Sequence, residues 1–386
     1  MSGVLSGIRV LEQGTFITGP CAGMMLADLG ADVIKIEGPE GDPYRSYQGG
    51  AYSPHFQAYN RNKRSMALDL KLASDRQTFD TLIRESDVFI QNFRPGTAGR
   101  LGAGEERLRS LNSRLVYCSI SGFGSSGPYV DRPSYDSVAQ ALSGFLSVVV
   151  DTTQPRFLGP ALADAITGMY AALGVLGALV QRGRTGLGSH VEISMLEAMA
   201  HFAVEPFAAF FALGRVPTSN DRPRLAQAYI LRTADGRLVA LHLSSLEKFW
   251  NGLVAAVELP TLASDPRFNT RLLRIENYES LGRELDAAFS RQPLAVWVER
   301  LGRNDVPFAP VQAIDDVIAD PQVNHLGLIV PVESAHGGAH AIRPPVQFGG
   351  QRATSVRAAP RLNEHGGSIR EALLAAPGWP NLGNSS

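Results

Sequence analysis

Cysteine is nearly absent from this sequence. Its 386 residues include two, Cys21 and Cys118, with no CxxC and no histidine cluster beside them. That excludes a disulfide framework and a thiolate zinc site, and it fits a reducing compartment. Neither sign of charge is in excess: 36 Lys and Arg stand against 37 Asp and Glu, a formal net charge of −1. A general polyanion binder is thereby excluded, so nucleic acid is not an expected partner, and an anionic ligand must be held by a local basic patch. The opening MSGVLSGIRVLEQ has no basic region ahead of an apolar one, and no leader is expected. The apolar run Ile166–Val180 is shorter than a membrane span and rich in Gly and Ala, so a buried core helix in a soluble, cytoplasmic protein without a membrane partner is the expectation. GxxxxGK[ST], HExxH and GxSxG are all missing, and with them the usual phosphate-loop, zinc-peptidase and nucleophile-elbow readings. His55, His190 and His201 lack ligand spacing, and no metal site is expected.

What the sequence does have is length and apolar material. With 44% apolar and 19% charged residues, it has enough for two domains and a large core. Ile8–Leu11 reads as a strand, Gly19-Pro20 opens an apolar helix closed by Gly30, and Asp32–Glu37 is a second strand. This β-α-β unit points to a parallel sheet. Met66–Leu70, Asp87–Gln91, Arg114–Ser119 and His190–Ile193 read as further strands, with a helix over Ser74–Glu85. In open α/β sheets ligands sit at the carboxyl ends of strands, where Asn92-Phe93-Arg94-Pro95-Gly96 lies. A long apolar helix is expected over 161–182 and another over Met195–Leu213. Beyond the polar, Pro-rich stretch 217–224, Tyr229–Arg232 and Leu238–Leu243 form a hairpin, followed by three amphipathic helical stretches.

Three features carry chemistry. Asp164 opens the long apolar segment, and a carboxylate there is costly unless something compensates or uses it. On that segment alone a helix cap ahead of Thr167-Gly168 is the simpler reading. Arg61-Asn62-Lys63-Arg64, with Arg45, Arg94 and Arg100, offers donors for a phosphorylated ligand, although such a run is more often a solvated loop. Gly122–Gly127 fits GxGxxG, but Pro128-Tyr129 follows it, so no helix amino-terminus meets a pyrophosphate, and the segment reads as a turn-rich loop.

LSGIRVLEQ, LADLGADVIKIEGPEGDPYR, YNRNKRSMALDLK, NFRPGTAGRLG and the 159–168 segment, in that order and spacing, resemble the class III CoA-transferase family over nearly the whole chain. The resemblance implies a large open α/β, Rossmann-like domain split in sequence (1–216, completed by 306–386), a small α+β domain (225–305), linkers near 217–224 and 306–320, and an interlocked homodimer. It also implies an acyl-CoA donor and a carboxylate acceptor, with coenzyme A entering as substrate and no cofactor tightly bound. Asp164, in Asp164-Ala165-Ile166-Thr167-Gly168, matches the family's nucleophile, which attacks the thioester to give an acyl-anhydride and then an aspartyl-CoA thioester. Ile17, Thr18, Leu68, Lys71, Asn92, Phe93, Arg94, Arg100 and Tyr135 match its CoA-holding positions. A glutamine, a basic residue and a glycine-rich loop of the formyl-transferring members are replaced here by Ile17, Gly38 and Ala226–Leu231. The racemase branch carries a histidine where this chain has Tyr135. A racemase using Tyr135 or Asp136, and a catalytically idle CoA-binding homologue, are the alternatives.

Overall fold

Both faces of the first strand are apolar, and that decides its place. β1 (Arg9–Gln13) carries Val10 and Leu11 on opposite faces, each with no exposed surface, a pattern suited to a strand covered on both sides. In the computed structural model, which describes residues 3–151, 153–157, 159–244, 246–334, 339–376 and 378–380, β1 lies inside a six-stranded parallel sheet. Its partners are β2 (Asp32–Glu37), β3 (Arg64–Ala67), β4 (Val88–Gln91), β5 (Val116–Ser121) and β6 (His190–Ser194), in the order β3-β2-β1-β4-β5-β6. Strand order reverses between β1 and β4, so the loops leaving their carboxyl ends diverge and open a crevice.

One face of the sheet is covered by the first helix, Thr18–Asp28, and the long helix, Leu162–Thr185, whose Ala22, Leu26, Ala171, Ala172 and Val175 pack on Val10, Val33, Val88 and Val116. The other face is covered through Phe79, Leu82, Ile83, Leu108 and Ile369. The long helix outruns the apolar stretch seen in sequence, reaching 24 residues. By length and composition it can cross a membrane, which corrects the expectation of a shorter run, but its buried stripe lies in the sheet core. A Cβ on Gly168 would sit 2.6 Å from Cys21 Cβ and 2.9 Å from the Thr18 carbonyl oxygen. Only glycine permits that approach between the two helices.

Beneath the carboxyl end of β1 lies a dry ionic cluster. Glu12, Lys35 and Lys63 have no exposed side-chain surface, and Lys35 also pairs with Asp42 at 3.0 Å. Burial alone would lift the Glu12 carboxyl, but the ammonium groups of Lys35 and Lys63 outweigh it and hold the carboxyl below its ordinary range. Burial dominates at Lys63 and brings it down to about 8. At the sheet's edge, β3 is covered by the C-terminal segment. The Ser65 N–H donates to His365 Nδ1 (3.3 Å), the Ala67 N–H to Asn363 Oδ1 (2.9 Å) and the His365 N–H to the Ser65 carbonyl (3.0 Å).

The chain divides into two compact units, one of Met1–Leu146, Phe157–Phe207 and His325–Ser386, the other of Ser147–Arg156 and Ala208–Asn324. The first unit also holds a small sheet of β10 (Ile329–Glu333), β11 (His340–Ile342) and β12 (Val356–Arg357). The second is built on the antiparallel strands β7 (Ala228–Arg232), β8 (Leu238–His242) and β9 (Phe308–Pro310). Its core includes Phe289 stacked on Trp297 at 4.1 Å between ring centroids.

Three expectations are corrected. Phe308–Pro310, expected in the segment completing the large domain, instead pairs with β8, and as an edge strand it tolerates its proline. Met195–Leu213 is two helices, Met195–Phe202 and Val204–Leu213, because the ring of Pro206 would clash with the carbonyl of Phe202 in a continuous helix. The stretch 217–224 runs into the helix Asp221–Ala226.

Candidate functional site

The crevice is shaped by how the β1 and β4 loops are tied together. The Thr15 N–H donates to Asn92 Oδ1 (2.9 Å), while Asn92 Nδ2 donates to the Thr15 carbonyl and to Thr18 Oγ1, both at 2.8 Å. Phe16 has φ +58°, left-handed backbone that is strained for an aromatic residue. Its N–H donates to Asp42 Oδ1 (3.1 Å), and Lys35 donates to the Gly14 carbonyl (2.7 Å). The dry ionic cluster therefore holds this loop in its unusual path.

Asp164 lies in the first turn of the long helix, half-buried, and the cap is a different residue. Asp136 Oδ1 accepts from the Ala163 N–H (2.8 Å) and the Asp164 N–H (3.3 Å), while its Oδ2 accepts from Gln140 (2.7 Å). The Asp164 carboxyl has no hydrogen-bond or ion-pair partner among the described residues. Burial, followed by the nearby charge of Asp136, pushes it up to about 7. Thr167 is turned inward, its hydroxyl donating to the Ala163 carbonyl (2.6 Å). The Thr-Gly after Asp164 thus serves packing: Thr167 closes the turn and Gly168 admits the first helix.

Asp164 opens into a cleft of about 710 Å³. Of the residues singled out in the sequence, Ile17, Thr18, Asn92, Phe93, Arg94 and Tyr135 line the same cleft. Leu68 and Lys71 line a neighbouring one of about 370 Å³, and Phe93 and Thr15 belong to both. Arg100 lies outside these linings, donating to Thr97 Oγ1 at 2.7 Å. Gly122–Gly127 is a loop after β5, as expected, and Phe123 contributes to the cleft wall.

The basic run is corrected. Arg61 pairs with Asp28, Lys63 with Glu12, Arg64 with Asp32 and Arg45 with Glu37, so these side chains hold the fold together and are not phosphate donors. The cations that face the cleft are Arg94 and Arg132, and neither has a carboxylate partner among the described residues. Sequence reasoning missed Phe16, Tyr44, Tyr47 and Arg132 in the lining, and it missed the capping role of Asp136. The one local signal for that role is the Asp136–Gln140 spacing of four on a helix. Among the described residues no group of three or more His, Cys, Asp or Glu is placed to hold a metal ion.

A carboxylate poised near neutrality and facing an aromatic-walled cleft suits attack on an activated acyl group. The comparisons name the reaction class, CoA transfer. The model of CoA-transferase family III matches residues 5–366. The succinate–glutarate CoA-transferase of Agrobacterium fabrum is 32% identical over 383 residues, covering 96% of this chain and 95% of that protein. The acetyl-CoA:oxalate CoA-transferase of Acetobacter aceti is 33% identical over 381 residues, covering 97% and 96%. Among solved structures, a CAIB/BAIF family protein from Brucella suis superposes with a TM-score of 0.87 at 32% identity, over 97% of this chain and all of that one. With its switch-point cleft and the half-buried Asp164 that opens into it, this chain belongs to CoA-transferase family III and is an enzyme of that family.

Proposed function

We propose that the protein moves CoA between carboxylic acids with Asp164 as the nucleophile. The observation that carries this reading is the unpartnered Asp164 carboxyl in the cleft at the strand-order reversal. An Asp164 oxygen attacks the thioester carbonyl carbon of an acyl-CoA; the C–S bond breaks, leaving a mixed anhydride and the CoA thiolate. The thiolate attacks the aspartyl carbonyl, releases the first acid as its carboxylate and leaves an aspartyl-CoA thioester. The acceptor carboxylate then displaces the thiolate to form a second anhydride. Attack of the thiolate on the acceptor's acyl carbon gives the new acyl-CoA and restores Asp164. No net proton is consumed. Partial desolvation of Asp164 makes a weak nucleophile competent against an activated acyl donor.

CoA is taken to run from the Asp164 cleft into the neighbouring one, past Phe93, which lines both. Asn92, Phe93, Arg94 and Tyr135 would flank its thiol-bearing arm, with Ile17 and Thr18 on the opposite loop and Leu68 and Lys71 further along. Arg100, outside both linings, is the weakest member of that set. Two-base racemisation is disfavoured because Asp136 is engaged by two helix amides and Gln140. A homodimer is supported by Met169, Leu173 and Val180, exposed apolar residues on one side of the long helix; light scattering of a monomer would remove it.

The test is intact-protein mass spectrometry after incubation with a panel of acyl-CoAs. An acyl- or CoA-sized adduct should form, disappear with hydroxylamine and be missing in Asp164→Ala, which still binds CoA. Turnover retained by Asp164→Ala would refute the reading.

A further inference from the structure

Arg132, an exposed side chain in the wall of the Asp164 cleft, has no carboxylate partner among the described residues. Its guanidinium lies 4.4 Å from the Tyr129 ring centroid and 5.8 Å from that of Phe123, and those rings meet edge to face at 5.9 Å. Stacking of this kind fixes a guanidinium by its flat face and leaves the N–H fork on its rim available for a planar anion. Ser134, two residues on, also lines the cleft, and its buried Oγ has no hydrogen-bond partner. The wall thus presents the exposed, stacked fork of Arg132, with the unsatisfied Ser134 Oγ buried behind the cleft surface.

Chain geometry bounds how far this lies from the reaction. Asp136 accepts from the Asp164 N–H, and the four residues from Arg132 to Asp136 span at most about 14 Å. Arg94, the other cleft cation with no carboxylate partner among the described residues, follows Phe93, which is shared with the neighbouring cleft. It therefore lies on the side toward which the CoA phosphates are proposed to extend. The reacting carboxylate of an acid must meet Asp164, and Arg132, in the wall of the same cleft, is placed for a second group on that acid. An apolar or aromatic tail laid over the exposed Arg132 guanidinium would strip it of water with no counter-charge in return, which is costly.

We propose that Arg132 determines substrate choice by pairing with a second carboxylate at the far end of the acid, so that short dicarboxylic acids are the substrate class. This rests on the CoA-transfer reading above. Arg132 acts on binding of the acid and takes no part in bond making at Asp164.

The experiment compares kcat/KM for a dicarboxylic acid and for the monocarboxylic acid of equal chain length, with one acyl-CoA donor, in the wild type, Arg132→Met, Arg132→Lys and Arg94→Met. The wild type should prefer the dicarboxylate by about 100-fold or more. In Arg132→Met the preference should collapse to within about threefold, through KM for the acid, with KM for the donor unmoved; Arg132→Lys should keep part of it. Arg94→Met should instead raise KM for the donor and keep the preference. An unchanged preference in Arg132→Met, or a loss confined to donor KM, overturns the proposal. Formation of the hydroxylamine-sensitive adduct separates the two readings: without it in the wild type the CoA-transfer reading fails, whereas with it and an unchanged preference only the role of Arg132 fails.

Discussion

Asp136→Asn tests how Asp164, the proposed nucleophile, is tuned. Asparagine keeps an oxygen to accept from the Ala163 and Asp164 amides, and Gln140 can flip its own amide to meet the new NH2 group, so the helix start is preserved. What disappears is a negative charge beside Asp164. The Asp164 carboxyl stands at about 7 against an ordinary 3.8, with burial as the larger cause and Asp136 the second. Unit charges about 6 Å apart, at an effective dielectric between about 20 and 80, interact by roughly 0.7–2.8 kcal/mol. A tenfold change in ionisation takes about 1.4 kcal/mol. Since burial remains, a shift of about one pH unit downward is expected, short of the ordinary value. The attacking form is the carboxylate, so activity rises with pH through the Asp164 pKa, and the variant should rise earlier. At pH 6 the ionised fraction should go from about a tenth to about a half, while at pH 8 the two proteins differ little in ionisation. The assay is the pH profile of kcat/KM, which reports the free enzyme, with Asp136→Ala as the variant that loses the cap as well. An acid limb that stays in place, or moves to higher pH, in a folded Asp136→Asn protein refutes the argument.

Two further perturbations follow from the packing. Gly168→Ala puts a methyl group into the Thr18 carbonyl and Cys21, which should cost about 1–3 kcal/mol and, by shifting the turn that carries Asp164, lower kcat more than it changes acid KM; thermal melts and initial rates check it. Glu12→Gln leaves Lys35 and Lys63 facing one another without their shared carboxylate, and a loss of about 3–5 kcal/mol is expected in denaturant titrations. A melt within experimental error of wild type would show that the cluster does not hold the β1 loop.

Much of the large unit was legible because its signals are local. Strands buried on both faces read as apolar runs, helices as apolar periodicity, and Asp164 stood out as one acid in an apolar stretch. What was not legible depends on partners distant in sequence. The cap of Asp164 comes from Asp136, twenty-eight residues earlier, so the acid that resembled a cap is free. The basic run 61–64 looked available because Asp28, Glu12 and Asp32 are not its neighbours in sequence. Phe308–Pro310 carried no strand pattern of its own and is a strand only because β8 offers an edge. Arg132 carries no motif in the sequence, and only the fold of its loop sets it over Tyr129.

The covering of β3 by the C-terminal segment has a consequence for how the protein is made. The strand is complete once residue 67 leaves the ribosome, but Asn363 and His365, which take up its free edge, arrive some three hundred residues later. At bacterial-to-eukaryotic rates of about 5–20 residues per second that interval is about 15–60 s. Throughout it the growing polypeptide offers an unpaired strand edge to any neighbour on the same message. Chains released before residue 363 are therefore expected to aggregate through that edge.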